Sequence, residues 1–474
     1  MNAIIHNHFK CRITRILLIV TLGLLISSCA DFIEIDSPKT EIVSASVYNN
    51  DASAIAAIRG IYSLMVTGQS FANGQLERYT GLSSDELQNH SLNAEQQQFF
   101  FPALQAQNSV VLNVFWKEAY RYINNANAML EALPASEGLS DPVRKQLEGE
   151  AKFVRAFCHF YLVNLFGDVP YIATSDYRIN ATAKRMKKEE VFAHMIDDLL
   201  DAEELLSNDF ASSGNQRTQP NKFAAAALLS RVFLYTKEWM KAEEYASKVI
   251  SQSIHFTMQT DLTQVFLATS KETIWQLQPV IPEKSTGQAR LFILTASPTQ
   301  SGAPGVSLQD AFIASFETGD ERLDAWVGTY QSGAGTWWFP YKYKTYSSST
   351  IIENAVALRL AEQYLIRAEA RAQLDQLNES IEDIDVIRLR AGLPALMDVI
   401  PQLSKEEIVK AIEQERKIEL FAEWGHRWLD LKRTDRVNDI LSSTKADWQS
   451  HDQLYPIPFS EILVNPQLDQ NTGY

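Results

Sequence analysis

The sequence predicts a mainly α protein built of tetratricopeptide-repeat-like helix pairs, interrupted by an irregular, loop-rich insertion region. Apolar residues recur at three- and four-residue steps, with Leu358, Ala361, Tyr364, Leu365, Ala368 and Ala372 as the clearest run. A polar break at 375–378 and a second amphipathic run with Ile381, Ile384 and Ile387 follow, closed by Gly392-Leu393-Pro394. That is a helix pair with a C-cap glycine and a proline stop. The third observation is contrast: residues 254–350 alternate short apolar runs with Gly, Pro, Ser and Thr, too long a break to be an ordinary connection.

Residues 1–28 read as a cleaved leader. Lys10, Arg12 and Arg15 precede an apolar run of eleven, Ile16–Ile26, which suits a signal peptide and is too short to cross a bilayer. Small residues then lead into Cys29, and "ISSC" resembles the lipobox of bacterial lipoproteins; a chance cysteine after an ordinary signal is the rival reading. The resemblance makes Cys29 the lipidation site and gives the mature chain more than one acyl chain, a stable anchor where a single chain binds marginally. The acidic residues Asp31, Glu34 and Asp36 resemble the export signals of Bacteroidetes surface lipoproteins, which implies an outer-membrane location facing the cell exterior. With Cys29 lipidated, Cys158 has no disulfide partner, and in "VRAFCHFYLVNLF" it reads as a small buried hydrophobe.

The mature chain is expected to be one domain, 29–474, with helical scaffold at about 45–66, 109–252 and 353–440. Within it, 221–239 pairs with 240–252, and 141–167 with 187–206. The helices near 51–66 and 108–133 would make a fourth pair across the polar insertion 67–108. Repeats stacked this way bury one another's apolar faces and leave long loops for specialised surface. The net charge of −15 argues against nucleic acid as a partner.

The C-terminal part carries "IEQERKIELFAEWGHRWLDLKRTDRV" and closes "YPIPFSEILVNPQLDQNTGY". Arg416, Glu419, Glu423, Arg427, Asp430 and Arg433 recur at helical spacings and suit mutual ion pairs or the capping of neighbouring segments. Trp424 and Trp428, four apart, read as one core face. Tyr455-Pro456-Ile457-Pro458 must be extended, because proline fixes its own φ and disfavours helix in the residue before it, so 451–474 reads as a strap over the helices.

With the lipobox and "LRLAEQYLIRAEA", these motifs resemble the SusD/RagB family of outer-membrane nutrient-binding lipoproteins, across essentially the whole mature chain. The resemblance implies a SusD-like α-α superhelix with an irregular ligand side. It also implies a SusC-like TonB-dependent β-barrel transporter as partner and an oligosaccharide or polysaccharide as ligand; some members take up peptides or other nutrients.

Sugars present flat C–H faces and many hydroxyls, so a glycan site wants exposed rings with polar side chains in reach. "WWFPYKYKTY" puts six aromatics into the ten positions 337–346. Tyr341 and Tyr343 alternate with Lys342 and Lys344 as a half-buried strand would, leaving Trp337 and Trp338 beside Gly333 and Gly335 as the platform. Consecutive strand residues face opposite ways, so one of the two stacks on ligand; that both are core is the competing reading. Phe99, Phe100 and Phe101 in the first insertion, and Trp326 and Tyr330 in "DERLDAWVGTY", are further ring candidates. Asp85, Glu86 and Asn89 in "SSDELQNH" would be the polar partners, with Asp85 (or Ser84) as a helix N-cap the alternative.

A glycoside hydrolase with paired carboxylates and a pure protein–protein adaptor are the readings from other classes. No stretch carries a catalytic signature, a phosphate loop, zinc-ligand spacing or a Gly-x-Ser-x-Gly elbow. No enzymatic activity and no cofactor are expected; a loop-bound calcium stays open, because oxygen ligands leave little sequence trace. His159 and His426 read as structural.

Overall fold

Asn221 accepts hydrogen bonds from the backbone N–H groups of Phe223 and Ala224, both at 3.1 Å, and so starts a helix whose first turns are four buried alanines. Alanines let neighbouring helices approach closely, and that principle runs through a computed structural model that describes residues 47–281, 284–399 and 402–474. The expected leader, Cys29 and the acidic residues after it lie outside the described residues.

Among the described residues, helices of eight residues or more are α1 (Asp51–Met65), α2 (Leu76–Ser83), α3 (Lys117–Ala132), α4 (Asp141–Phe166), α5 (Lys188–Leu205) and α6 (Lys222–Tyr235). They continue with α7 (Trp239–Ile250), α8 (Leu360–Gln373), α9 (Leu377–Arg390), α10 (Lys405–Glu419), α11 (His426–Arg433) and α12 (Val437–Thr444). From α3 to α9 each packs on the next, and α10 packs on α8 and α9. Residues 48–474 are one compact unit. Three expected pairs form, as α4–α5, α6–α7 and α8–α9. The fourth does not form as expected: α3 packs chiefly on α4, and α1 lies against α4 as well as α3. The small faces of Ala368 and Ala372 close the stack with Ile381, Ile384, Ile408 and Ile412. At the end of α9, Gly392 has φ +76° and the Leu393 N–H returns to the Arg388 carbonyl, the expected helix stop.

The C-terminal motif bends where the helical spacing implied continuity. α10 ends at Glu419, and Ala422, Trp424 and Gly425 all have positive φ, so Trp424 and Trp428 lie on either side of a corner. Both are core residues. Arg416 forks onto Asp430 at 2.8 and 3.0 Å, and Arg433 joins the same carboxylate at 2.7 Å. Tyr455 and Ile457 are fully buried, and the Tyr455 N–H donates to the Leu165 carbonyl at 2.9 Å, which makes the tail a strap across α4.

Strands are few and short. β1 (Leu87–Asn89) pairs antiparallel with β3 (Val306–Leu308), β2 (Thr273–Leu277) with β6 (Ala355–Arg359), and β4 (Val327–Ser332) with β5 (Gly335–Pro340). β1–β3 joins the insertion 67–108 to the segment 254–350, and β5 packs on β3, so the two irregular segments meet. No helix among the described residues is long and apolar enough to cross a membrane.

Candidate functional site

The β4–β5 hairpin carries the exposed rings. Its register runs from Val327 opposite Pro340 to Ser332 opposite Gly335, closed by Gly333-Ala334. Period two puts Tyr330 and Trp337 on one face and Thr329 with Trp338 on the other. The Tyr330 and Trp337 rings lie 6.3 Å apart at 35°, both half-buried, and the Trp337 indole comes within ordinary contact of the space beside Gly335. At the root, a Cβ on Gly328 would stand 2.3 Å from the Phe339 ring, so the absence of a side chain there lets Phe339 close down into the core. The tip, 331–336, is exposed. The platform is therefore part of a strand: β5 is "GTWWFP", and Tyr341–Tyr346 follow it without forming one. Lys342 and Tyr343 are both buried, which ends the expected alternation, and Lys342 donates to Glu423 at 2.5 Å and to the Glu419 carbonyl at 2.8 Å.

Beside the hairpin, polar groups at the β1–β3 pair are held by one another. Asn89 Oδ1 accepts from Gln96 Nε2 at 2.8 Å and from the Ser91 N–H at 3.2 Å, while its Nδ2 donates to the Ser91 carbonyl at 3.0 Å. Arg78 bonds to Gln96 and donates to the Pro304 carbonyl at 2.7 Å, and His90 Nε2 meets Ser307 Oγ at 2.8 Å. Asn89 is half-buried, and its amide shapes the β1 exit loop.

Other expected contacts are spent inside the fold. Asp85 neither caps a helix nor stands free: Arg427 grips it with two bonds of 2.7 Å, and Lys417 lies 3.9 Å away. Burial opposes its charge, but the Arg427 fork and the two cations overcome this and hold the carboxyl below its ordinary value. Glu86 is buried, its pKa pushed up to about 7 by that burial and by the Asp85 charge. Trp326 has no exposed surface; its indole N–H donates to the Leu262 carbonyl at 3.0 Å, and the Lys342 ammonium sits 4.8 Å from its ring. Phe99 is buried against Tyr79 and Tyr455 at 4.6 and 5.4 Å. Phe100 is half-buried beneath the Lys445 ammonium, and Phe101 is exposed.

One feature escapes the sequence reading. A cavity of about 430 Å³ is lined by Trp116, Tyr120 and Tyr177 with Asn124, Asn180 and Lys117. The Trp116 and Tyr120 rings stand 5.0 Å apart, and Tyr177 is 77% exposed. Trp116 and Tyr120, one turn apart, resemble any core stripe; the available signal was Tyr177 inside the polar stretch "SDYRIN".

Together these features define a helical-repeat protein whose irregular segments converge on a ring-bearing hairpin. Two family models match the chain: one described as "Starch-binding associating with outer membrane" over residues 41–234, and one described as "SusD family" over 330–474. The chain belongs to the SusD/RagB family. It is similar to SusD-like protein P2 of Formosa agariphila, with 27% identity over 98% of this chain and all of that one. It is also similar to the starch-binding protein SusD of Bacteroides thetaiotaomicron, with 23% identity over 72% of this chain and 75% of that one. A crystal structure of a SusD superfamily protein from Bacteroides vulgatus superposes with a TM-score of 0.76 at 20% identity, covering 90% of this chain and all of that one, a likeness of fold.

Proposed function

We propose that this protein is a lipid-anchored glycan-binding protein of the outer membrane that captures oligosaccharide at the β4–β5 hairpin and passes it to a SusC-like TonB-dependent transporter. The observation that carries the reading is the Tyr330–Trp337 pair, half-buried on a hairpin with an exposed tip. Each stacked ring contributes about 1–3 kcal/mol, judged from base stacking, so two or three rings hold a sugar weakly and a polymer gains by avidity. Family membership and the starch-binding relative support a glycan as the ligand class. Capture without turnover is the proposed role: the rings orient and retain sugar, and no carboxylate pair is assigned to the hairpin.

Affinity electrophoresis of the purified protein through a panel of polysaccharides tests this. One glycan is expected to retard the wild type, with the effect reduced at least tenfold in Trp337→Ala/Trp338→Ala and in Tyr330→Ala, and retained in Tyr177→Ala. Melting temperatures confirm that each variant is folded. Loss in Tyr177→Ala alone would move the site to the Trp116–Tyr120–Tyr177 cavity. No retardation by any glycan would overturn the reading in favour of a peptide or other nutrient, or of a protein–protein adaptor.

A further inference from the structure

A second cavity, of about 270 Å³, opens between α10, α11 and α12, where the C-terminal motif turns its corner. Its size is below the range of about 300–1,000 Å³ that takes drug-sized ligands, which suits a small group. Its lining is charged and unbalanced. Six cations contribute, Lys410, Arg416, Lys417, Arg427, Arg433 and Arg436, against two acids, Glu413 and Asp430. Behind the lining, Asp85 holds Arg427 at 2.7 Å and Glu369 holds Arg433 at 2.5 Å; within it, Glu413 holds Arg436 at 2.6 Å. Lys417 has only a share of Asp85, at 3.9 Å, and the exposed Lys410 feels Glu407 one turn back. Positive charge stays in excess here, in a chain whose net charge is −15.

Arg416 supplies the specific observation. It is 2% exposed, and its Nε and Nη2 are spent on Asp430, but its Nη1 hydrogen-bonds to no protein atom. A buried guanidinium N–H without an acceptor is costly, and native proteins rarely leave one so. A cavity lined by the Arg416 side chain and by other cations in excess is matched by an anion with several acceptor oxygens.

We propose that this cavity binds a small oxyanion, with the Arg416 guanidinium in its wall and Lys417 and Lys410 as flanking cations. The chemistry is shared by a free sulfate or phosphate ion and by a sulfate group carried on a sugar. This site is independent of the hairpin, so it stands or falls separately from the glycan reading.

Calorimetric titration of the purified protein with sodium sulfate and sodium phosphate, against sodium chloride at equal ionic strength, tests it. At least one oxyanion is expected to bind where chloride does not and to raise the melting temperature. Lys410→Ala/Lys417→Ala should weaken binding at least fivefold. Lys410→Glu, at the exposed rim, should abolish it without altering the melting temperature measured in chloride. Trp337→Ala/Trp338→Ala should leave it unchanged. A galactose sulfate that binds tighter than inorganic sulfate identifies a sugar substituent as the source, and equal binding identifies the free ion. No heat beyond chloride, or undiminished binding in both lysine variants, overturns the proposal.

Discussion

Glu150 lies on α4 without exposed surface and accepts hydrogen bonds from Tyr62 Oη at 2.7 Å, Gln146 Nε2 at 2.8 Å and, at 3.4 Å, Gln219 Nε2. Burial outweighs those bonds and pushes its pKa up to about 7. Glu77 and Glu86 are raised to the same value, also chiefly by burial. An acid whose pKa is raised on folding keeps its proton in the native state after the unfolded chain has lost it. Stability is therefore fullest below the unfolded pKa and falls as pH rises through about 7. Lys432, pulled down to about 7 by burial, works in the opposite direction above that pH, so Glu150 is isolated by comparing wild type with Glu150→Gln. Between pH 5 and pH 8 the wild type should lose about 2–3 kcal/mol relative to the variant, read from urea unfolding at both values. An equal difference at both pH values would mean that Glu150 titrates as an ordinary carboxyl.

Among the elements, the α10–α11 corner shows why some of the structure was legible in the chain and some was not. Helix pairs such as α8–α9 could be read because each apolar stripe is local and repeats at helical period. The corner was not, since "EWGHRW" keeps helical spacing while Gly425, at φ +72°, starts a new helix. A Cβ on Gly425 would stand 2.9 Å from Thr80 Oγ1 of α2, so the position needs both the left-handed backbone and the missing side chain. Gly425→Ala should cost about 1–3 kcal/mol in urea unfolding; a loss below a few tenths would show that the corner relaxes freely. The site was legible to a similar degree. Ring density singled out the hairpin, but the pairing of Trp337 with Tyr330 is a matter of register. The burial of Lys342 depends on Glu423, 81 residues away, and the fate of Asp85 on Arg427, 342 residues away. Partners that distant leave no local pattern.

Across the whole molecule, one buried ion network ties the irregular segment 254–350 to the helical scaffold. The segment supplies Glu272, Arg322 and Lys342; β6 supplies Arg359; the scaffold and its corner supply Arg390, Glu415, Glu419 and Glu423. Arg359 is central: it reaches Glu419 at 2.5 Å, Glu423 at 2.7 Å and Glu272 at 3.1 Å while only 2% exposed. Opposing charges hold the Glu419 carboxyl well below the ordinary range despite its burial. Removing one partner of such a set leaves the others charged and uncompensated, which typically costs about 3–5 kcal/mol. Arg359→Met should therefore lower global stability by about that amount. The loss should also be uneven, because the segment has short strands and long loops while α6 to α9 keep their apolar contacts. Hydrogen exchange read by mass spectrometry should rise first in β2 and the β4–β5 hairpin, with α6–α9 still protected, and glycan retention at the hairpin should weaken with it. A uniform rise in exchange across hairpin and helices would instead make the network part of a single cooperative core, with hairpin order inseparable from that of the scaffold.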